Sequence, residues 1–106
     1  MIVALDIGSR FVGWAAGSSP DAVRYGTQIL PKLDGANLGR SYALFSSWLS
    51  DMLTVHKPQS LYFECPFQLK QEIIARSMLF YAGQIEHIAY LREVDWDGTT
   101  LWEHDD

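Results

Sequence analysis

The sequence predicts an α/β fold in which a mixed five-stranded sheet carries helices on its faces. Three observations favour this class. The chain opens on an apolar, strand-like run from Ile2 to Ile7. Two long segments repeat apolar residues at helical spacing. Short strand-like segments stand before, between and after these helices, which gives the order β-β-β-α-β-α-β.

The first three strands are predicted to form an antiparallel meander. The first, Ile2 to Ile7, is apolar enough to be buried on both faces of a sheet. A turn at residues 8–10 leads to its hairpin partner over Phe11 to Ala16. A third strand alternates apolar and polar residues over Ala22 to Leu30.

Two helices are predicted from apolar stripes, over Leu38 to Val55 and over about Gln71 to Arg92. A short strand, Leu61 to Phe63, stands between them and ends at Glu64. A fifth strand is expected over Thr99 to Trp102. Strands joined through helices should be parallel, with right-handed crossovers.

Gly83 interrupts the second predicted helix, at a cost of about 1 kcal/mol relative to alanine. Two explanations stay open at this point. Either the helix approaches the sheet closely there, or the glycine is simply tolerated.

The composition indicates one small cytoplasmic domain spanning residues 1–106. Hydrophobic residues make up 48% of the chain and charged residues 20%, which excludes a disordered or fibrous protein. A membrane-spanning helix needs about 20 apolar residues, and no run approaches that length. The single cysteine, Cys65, excludes an internal disulfide and a cysteine-built zinc site, and it fits a reducing compartment.

The charge distribution limits the kinds of nucleic-acid protein that this chain can be. Its net charge is −5, which argues against a protein that coats nucleic acid, because phosphate binding depends largely on Lys and Arg. An enzyme acting on nucleic acid stays possible, since its site must hold carboxylates for a metal. The excess acid lies in residues 95–106, and the rest of the chain is neutral, with eight acidic and eight basic residues.

Two carboxylates follow apolar strands and are the main candidates for chemistry. Asp6 ends the first strand and Glu64 ends the fourth. An ionised carboxylate at such a position is costly unless it is solvated, paired or bound to a metal. Ligand sites in open α/β sheets lie beyond the carboxyl ends of parallel strands, so the two should converge if their strands are neighbours. Hard oxygen ligands supplemented by water suit Mg²⁺.

The same residues carry a resemblance to a known family. The run DIGSRFVGW, from Asp6 to Trp14, resembles the opening motif of RuvC-type Holliday-junction resolvases. The run FECPF, from Phe63 to Phe67, is similar to the second motif of that family. The resemblance follows essentially the whole chain in order and spacing.

The resemblance implies an RNase H-like fold with the strand order 3-2-1-4-5. It also implies that the protein is a crossover junction endodeoxyribonuclease of DNA recombination and repair, of phage or bacterial type. Such an enzyme is a homodimer that cuts four-way or branched DNA by two-metal phosphodiester hydrolysis, with Mg²⁺ or Mn²⁺. Asp6 and Glu64 would be its catalytic metal ligands. The aromatic residue matching Phe67 would wedge into the junction.

Three basic residues are further candidates for contacts with DNA. Arg10, Lys70 and Arg76 flank the expected site in the sequence, where they would meet phosphates. Each is otherwise an ordinary solvated charge.

The sequence departs from the family pattern at its C-terminal end. Family members continue into a helix with further acidic metal ligands, and nothing here matches that helix. Either the chain is an N-terminal fragment of a longer protein or this helix has been lost. We therefore expect a C-terminally truncated domain that is nearly inactive alone, with a bare sheet face that includes some of Val3, Leu5, Phe63 and Leu101. The acidic residues 103–106 are interpreted as a frayed end rather than as substitute ligands.

Three alternatives stay open. A pre-16S rRNA nuclease of the same fold shares a similar opening motif, although Glu64 followed by Phe67 disfavours it. A nucleotide-binding domain like those of actin and Hsp70 also opens with a similar loop, but such domains are far longer. A non-catalytic DNA-binding or dimerisation module would explain the missing acids.

Overall fold

The computed structural model contains a five-stranded sheet and two helices. It describes residues 1–68 and 71–103, and for residues 67–68 and 99–103 it describes the backbone only. In chain order the elements are β1 (Ile2–Ile7), β2 (Phe11–Gly17), β3 (Val23–Ile29), α1 (Leu38–His56), β4 (Ser60–Gln68), α2 (Glu72–Leu91) and β5 (Asp95–Glu103).

The sheet has the strand order β3-β2-β1-β4-β5, as predicted. Strands β1, β2 and β3 pair antiparallel, and β1, β4 and β5 pair parallel. The crossover through α2 therefore joins neighbouring parallel strands. Both helices begin and end within a few residues of their predicted bounds.

Both helices cover the same face of the sheet. Alternate residues of β1 and β4 are buried beneath them, namely Val3, Leu5, Ile7, Leu61, Phe63 and Cys65. The helices contribute Phe45, Leu49, Met52 and Leu53 from α1, and Met78, Tyr81, Ile85 and Ile88 from α2. This single apolar layer is the core of the domain.

The opposite face of the sheet is open, which corrects two predictions. Ile2, Ala4 and Asp6 are exposed, so β1 is buried on one face only rather than on both. Val3, Leu5 and Phe63 were expected on a bare face but lie in the core, because the helices cover the face that carries them. The side chain of Leu101 lies outside the described residues.

Strands β4 and β5 extend further than the sequence predicts. The fourth strand was expected to end at Glu64, yet it continues through Pro66 to Gln68. Beyond Glu64, β4 pairs with β5 alone, so a proline there interrupts no ladder on the β1 side. The fifth strand begins at Asp95 rather than at Thr99.

The ends of α1 follow local chemistry that the sequence displays. The Asp34 carboxylate accepts hydrogen bonds from the backbone N–H groups of Ala36 and Asn37, at 2.8 and 3.1 Å, and so shapes the turn before the helix. At the other end, Lys57 adopts a left-handed conformation and donates its backbone N–H to the carbonyl of Leu53.

Neither described helix is both long and apolar enough to cross a membrane.

Candidate metal and nucleic-acid site

Asp6 and Glu64 are direct register partners on the neighbouring parallel strands β1 and β4. Both side chains are exposed on the open face of the sheet. Neighbouring strands lie about 4.8 Å apart, so the two carboxylates stand side by side. The structure thus brings together the two acids that the sequence singles out.

The acid pair lies inside the sheet rather than beyond its edge. Asp6 is the penultimate residue of β1, and Glu64 is followed by four more residues of β4. The pair marks the last step of the β1–β4 ladder. Convergence therefore comes from parallel register on one face, and not from loops that follow the strand ends.

A groove of about 490 Å³ lies over the acid pair on the open face, and we call it the acid groove. It is lined by Ala4, Leu5, Asp6, Gly13, Trp14, Ala15, Tyr62, Phe63, Glu64 and Asp97. Small residues on β1 and β2 keep the space above Asp6 free. Gly13, the partner of Asp6 on β2, has no side chain to cover the carboxylate.

A third acid in the acid groove was not identified from the sequence. Asp97 is the register partner of Tyr62 and lies on the same face as Glu64, one strand further along the sheet. It was missed because β5 was expected to begin at Thr99. The alternation of Asp95 and Asp97 with Trp96 was the available signal, since it follows the period of a strand.

The residues present fit a hydrated divalent cation. Two exposed carboxylates supply the hard oxygen ligands that Mg²⁺ prefers, and solvent can fill its remaining positions. Among the described side chains, those of residues 1–66 and 71–98, no three His, Cys, Asp or Glu groups are close enough together to hold a metal ion. Asp6 and Glu64 are thus a pair of candidate ligands.

The proposed DNA-contacting residues are distributed over different parts of the fold. Arg10 is exposed in the β1–β2 turn, close in the chain to Asp6. Arg76 is exposed on α2, in the layer opposite the acid groove, so the structure does not bring it to the acid pair. Lys70 and the side chain of Phe67 lie outside the described residues.

Cys65 follows Glu64 in sequence but takes no part in the site. Its side chain points into the core, where its Sγ donates a weak hydrogen bond to the carbonyl of Met78 at 3.5 Å. Burial raises the pKa of this thiol to about 12. A thiol that stays protonated and enclosed is not a nucleophile.

Solved structures with a similar fold include Holliday-junction resolvases. Thermus thermophilus RuvC in complex with a Holliday junction substrate matches with a TM-score of 0.69 at 13% identity, over 93% of this chain and 65% of that chain. A second T. thermophilus RuvC structure matches with a TM-score of 0.64 at 14% identity, over 93% and 63%. The yeast mitochondrial Holliday junction resolvase Ydc2 matches with a TM-score of 0.52 at 12% identity, over 96% and 52%.

These matches establish the fold of the chain. It is the RNase H-like fold of RuvC, so the resemblance predicted from two short motifs is confirmed at the level of architecture. The chain spans less than two thirds of the length of each of the three structures. No protein-family model and no curated protein sequence matches it.

Proposed function

We propose that this domain belongs to a Mg²⁺-dependent, structure-selective DNA endonuclease that resolves four-way junctions or related branched DNA. The observation that carries the proposal is the side-by-side placement of Asp6 and Glu64 on the open face of a RuvC fold. One of the similar structures is itself a complex with a Holliday junction. Cys65 is a buried free thiol, which is compatible with a reducing cytoplasm.

In this proposal Asp6 and Glu64 are the catalytic metal ligands of the domain. Their exposure leaves room for solvent and for a phosphodiester in the acid groove. A pair of Mg²⁺ or Mn²⁺ ions held by these carboxylates would polarise the phosphodiester and make water a better nucleophile. The protein contributes the fixed spacing of the carboxylates, which comes from the parallel register.

DNA contacts are proposed at the end of the sheet where the acid pair lies. Arg10, in the β1–β2 turn, would meet a backbone phosphate. Lys70 would do the same, and Phe67 would insert at the distorted centre of a junction, where partial unstacking costs less than in a duplex. Arg76 is exposed on α2, in the layer on the other face of the sheet, and would meet a phosphate outside the acid groove.

We further propose that an additional acidic segment completes the site over the open face. Two carboxylates alone leave a two-ion site short of ligands. The open face also carries exposed apolar side chains, among them Ile2, Val23, Tyr25 and Tyr62, that a covering layer would bury. On this proposal, residues 1–106 alone bind metal and junction DNA weakly and cut slowly.

One specific observation favours a second candidate, a non-catalytic DNA-binding module of the same fold. Within the described residues, no third metal-ligating side chain joins Asp6 and Glu64. Such a module would bind branched DNA whether or not a divalent cation is present, and it would not cut.

Metal binding tests the proposal most directly. Titration with Mn²⁺, followed by the electron paramagnetic resonance of the free ion, should show a site in the 106-residue chain. Asp6→Asn and Glu64→Gln should each weaken it by about tenfold, which corresponds to about 1.4 kcal/mol. Asp95→Asn is the matched control, because it removes an exposed acid from β5 away from the pair. Equal Mn²⁺ affinity in all four proteins would overturn the assignment.

Junction assays then separate the two candidate functions. Binding and cleavage of a synthetic four-way junction are compared with those of a duplex of the same sequence, in Mg²⁺ and in EDTA. The nuclease proposal expects slow Mg²⁺-dependent cutting that Asp6→Asn and Glu64→Gln abolish, with a double variant no worse than either single one. Junction binding that is unchanged in EDTA, with no cutting at any enzyme concentration, would favour the non-catalytic module.

A further inference from the structure

We infer that the open edge of β5 is a docking site for an extended basic segment of another protein, which adds to the sheet as a sixth strand. β5 pairs with β4 on one side only, so it is an edge strand. Strand addition gives affinity through main-chain hydrogen bonds and specificity through alternate side chains. The inference does not rest on the proposed nuclease chemistry.

The backbone of β5 directs a regular row of hydrogen-bonding groups away from the sheet. The N–H of Asp95 donates to the carbonyl of Gln59 at 3.2 Å, so it points toward β4. Because successive residues of a strand alternate in direction, the N–H groups of Trp96, Gly98 and Thr100 point outward. The register with β4 is one to one over all nine residues of β5, without a bulge that would turn the edge away.

β5 lacks two of the devices that normally protect an edge strand. Its nine residues contain no lysine and no proline. Asp95, Trp96 and Asp97 are consecutive and all exposed, so neither face of the sheet is fully covered where the strand begins. The edge is therefore accessible to a partner strand.

A cavity of about 580 Å³ lies at the start of this edge, between the end of α2 and β5. We call it the aromatic–acid cavity, and it is lined by Ala89, Tyr90, Glu93, Val94, Asp95 and Trp96. Tyr90 is 78% exposed and Trp96 is 45% exposed. Two aromatic rings together with two carboxylates suit the cationic end of a lysine or arginine side chain, since the ring faces attract the cation and the carboxylates accept its hydrogen bonds.

Glu93 occupies a position at which glycine is favoured. It follows α2 in the left-handed region, with a φ of 56°, and its N–H donates to the carbonyl of Tyr90 at 3.2 Å. A side chain in this conformation at a helix end is strained relative to glycine. A carboxylate therefore lines the aromatic–acid cavity at a cost in stability, which allows stability and binding to be separated by experiment.

Charge selects a basic segment among the possible occupants of this edge. Residues 93–106 contain six acidic residues and no lysine or arginine. A second β5 would set Asp95 against Glu103 in a full-length antiparallel pair, or against its own counterpart in a parallel pair, and both arrangements are repulsive. DNA phosphates are repelled for the same reason. A segment with lysine or arginine at alternate positions meets both the acids and the outward backbone groups.

Fluorescence anisotropy of the 106-residue chain with a labelled peptide tests the inference. The peptide alternates lysine and threonine over nine residues, the length of β5. It should bind at low salt with a dissociation constant below about 1 mM. The same peptide, N-methylated at three consecutive central residues, keeps its charges but cannot pair normally through either edge, so it should bind at least about tenfold more weakly.

Amide hydrogen exchange, followed by nuclear magnetic resonance, locates the bound peptide. Binding should slow exchange at the outward N–H groups of Trp96, Gly98 and Thr100. The N–H of Asp97, which faces β4, is the internal control and should change little. Binding of the peptide without protection of the outward groups would contradict strand addition.

Glu93→Gly separates binding from stability. It should raise the melting temperature, because glycine favours the left-handed conformation, and yet weaken peptide binding by about threefold at low salt. Lys57→Gly is the matched control, because Lys57 is also left-handed, at the end of α1. This control should raise the melting temperature and leave peptide affinity unchanged.

Charge reversal provides a second comparison. Asp95→Lys changes the aromatic–acid cavity, and Asp21→Lys makes the same change in the turn before β3, at the opposite edge of the sheet. Only Asp95→Lys should weaken peptide binding by about tenfold.

Three results would overturn the inference. They are no binding of the lysine peptide, equal binding of the N-methylated peptide, and equal affinity in Glu93→Gly, Asp95→Lys and their two controls. None of these results bears on Mn²⁺ binding at Asp6, which tests the proposed function separately.

Discussion

Gly13 is the antiparallel register partner of Asp6, and a Cβ added at Gly13 would lie 3.6 Å from the Cβ of Asp6. That distance is ordinary van der Waals contact, so alanine fits without distortion. A longer side chain would project over the carboxylate from the neighbouring strand. Access to Asp6 therefore depends on the absence of a side chain at position 13.

We predict that Gly13→Leu lowers Mn²⁺ affinity by about tenfold, because the leucine occupies the space above Asp6 that the cation and its water need. Gly13→Ala should lower the affinity much less. Calorimetric titration of both variants with Mn²⁺ measures the difference, and melting temperatures confirm that they are folded. A Gly13→Leu protein with wild-type affinity would place the cation away from Asp6.

Gly98 on β5 stands opposite Phe63, and a Cβ at Gly98 would overlap the aromatic ring. Phe63 is a core residue, so the ring has little freedom to move aside. We predict that Gly98→Ala costs about 1–3 kcal/mol of unfolding free energy through overpacking. Urea denaturation measures this cost.

The smaller side chain in Phe63→Leu should relieve part of the overlap, so the double variant should be more stable than the sum of the two single effects implies. Gly39→Ala serves as the control, since an added Cβ there meets nothing within 4 Å. Additive effects at positions 63 and 98 would contradict the β4–β5 register.

Periodicity and short loops were sufficient to predict the order of elements along the chain, and the resemblance of two motifs to the RuvC-type family supplied the strand order. The sequence did not predict which face the helices cover. Ile2 and Ala4 are as apolar as their neighbours, so β1 alone does not reveal that Val3 and Leu5 point inward. That choice is made by packing against α1 and α2, which lie far away in the chain.

The same limit applies to the site. Asp6 and Glu64 could be identified because each interrupts an apolar run. Asp97 was not identified in the same way, because polar residues at the start of an edge strand resemble a loop until the pairing partner is known. The alternation around Trp96 indicates a strand, but only the pairing of Tyr62 with Asp97 places that acid in the groove.

Alkaline pH should destabilise the domain because two buried groups, the Cys65 thiol and the Tyr81 hydroxyl, lose their protons less readily in the folded chain than in the unfolded chain. Burial raises the pKa of the Cys65 thiol from 9.0 and that of the Tyr81 hydroxyl from 10.0, each to about 12. The unfolded chain therefore loses these protons at a lower pH than the folded chain does. Their contribution to stability is complete below pH 9 and is lost progressively as the pH rises toward 12.

Urea denaturation between about pH 8 and pH 11 measures this loss, which should approach about 1.4 kcal/mol per pH unit for each proton released. Cys65→Ala removes one of the two groups. The Cys65→Ala variant should have a lower free energy of unfolding at neutral pH, because the smaller side chain leaves a cavity. Between about pH 9 and pH 10, however, its free energy of unfolding should fall less steeply than that of the wild type. Parallel decline in both proteins would show that Cys65 ionises equally in the folded and unfolded states.

Asp97→Asn should weaken metal binding without abolishing it. Asp97 lies diagonally across from Glu64 on the open face, and such diagonal neighbours are about 8 Å apart. At that distance in water a unit charge interacts with a divalent cation by about 1 kcal/mol, so Mn²⁺ affinity should fall by about fivefold at low salt. Salt at about 1 M should remove most of this difference, because exposed charges are then screened within about 3 Å.

Asp6→Asn should keep its larger loss of Mn²⁺ affinity at high salt, because on the proposed function it removes a direct ligand rather than a nearby charge. Titrations of both variants with Mn²⁺ at low and high ionic strength separate these two roles. If Asp97→Asn loses as much affinity as Asp6→Asn and the loss persists at high salt, Asp97 binds the cation directly, and the metal site lies further toward β5 than the acid pair alone indicates.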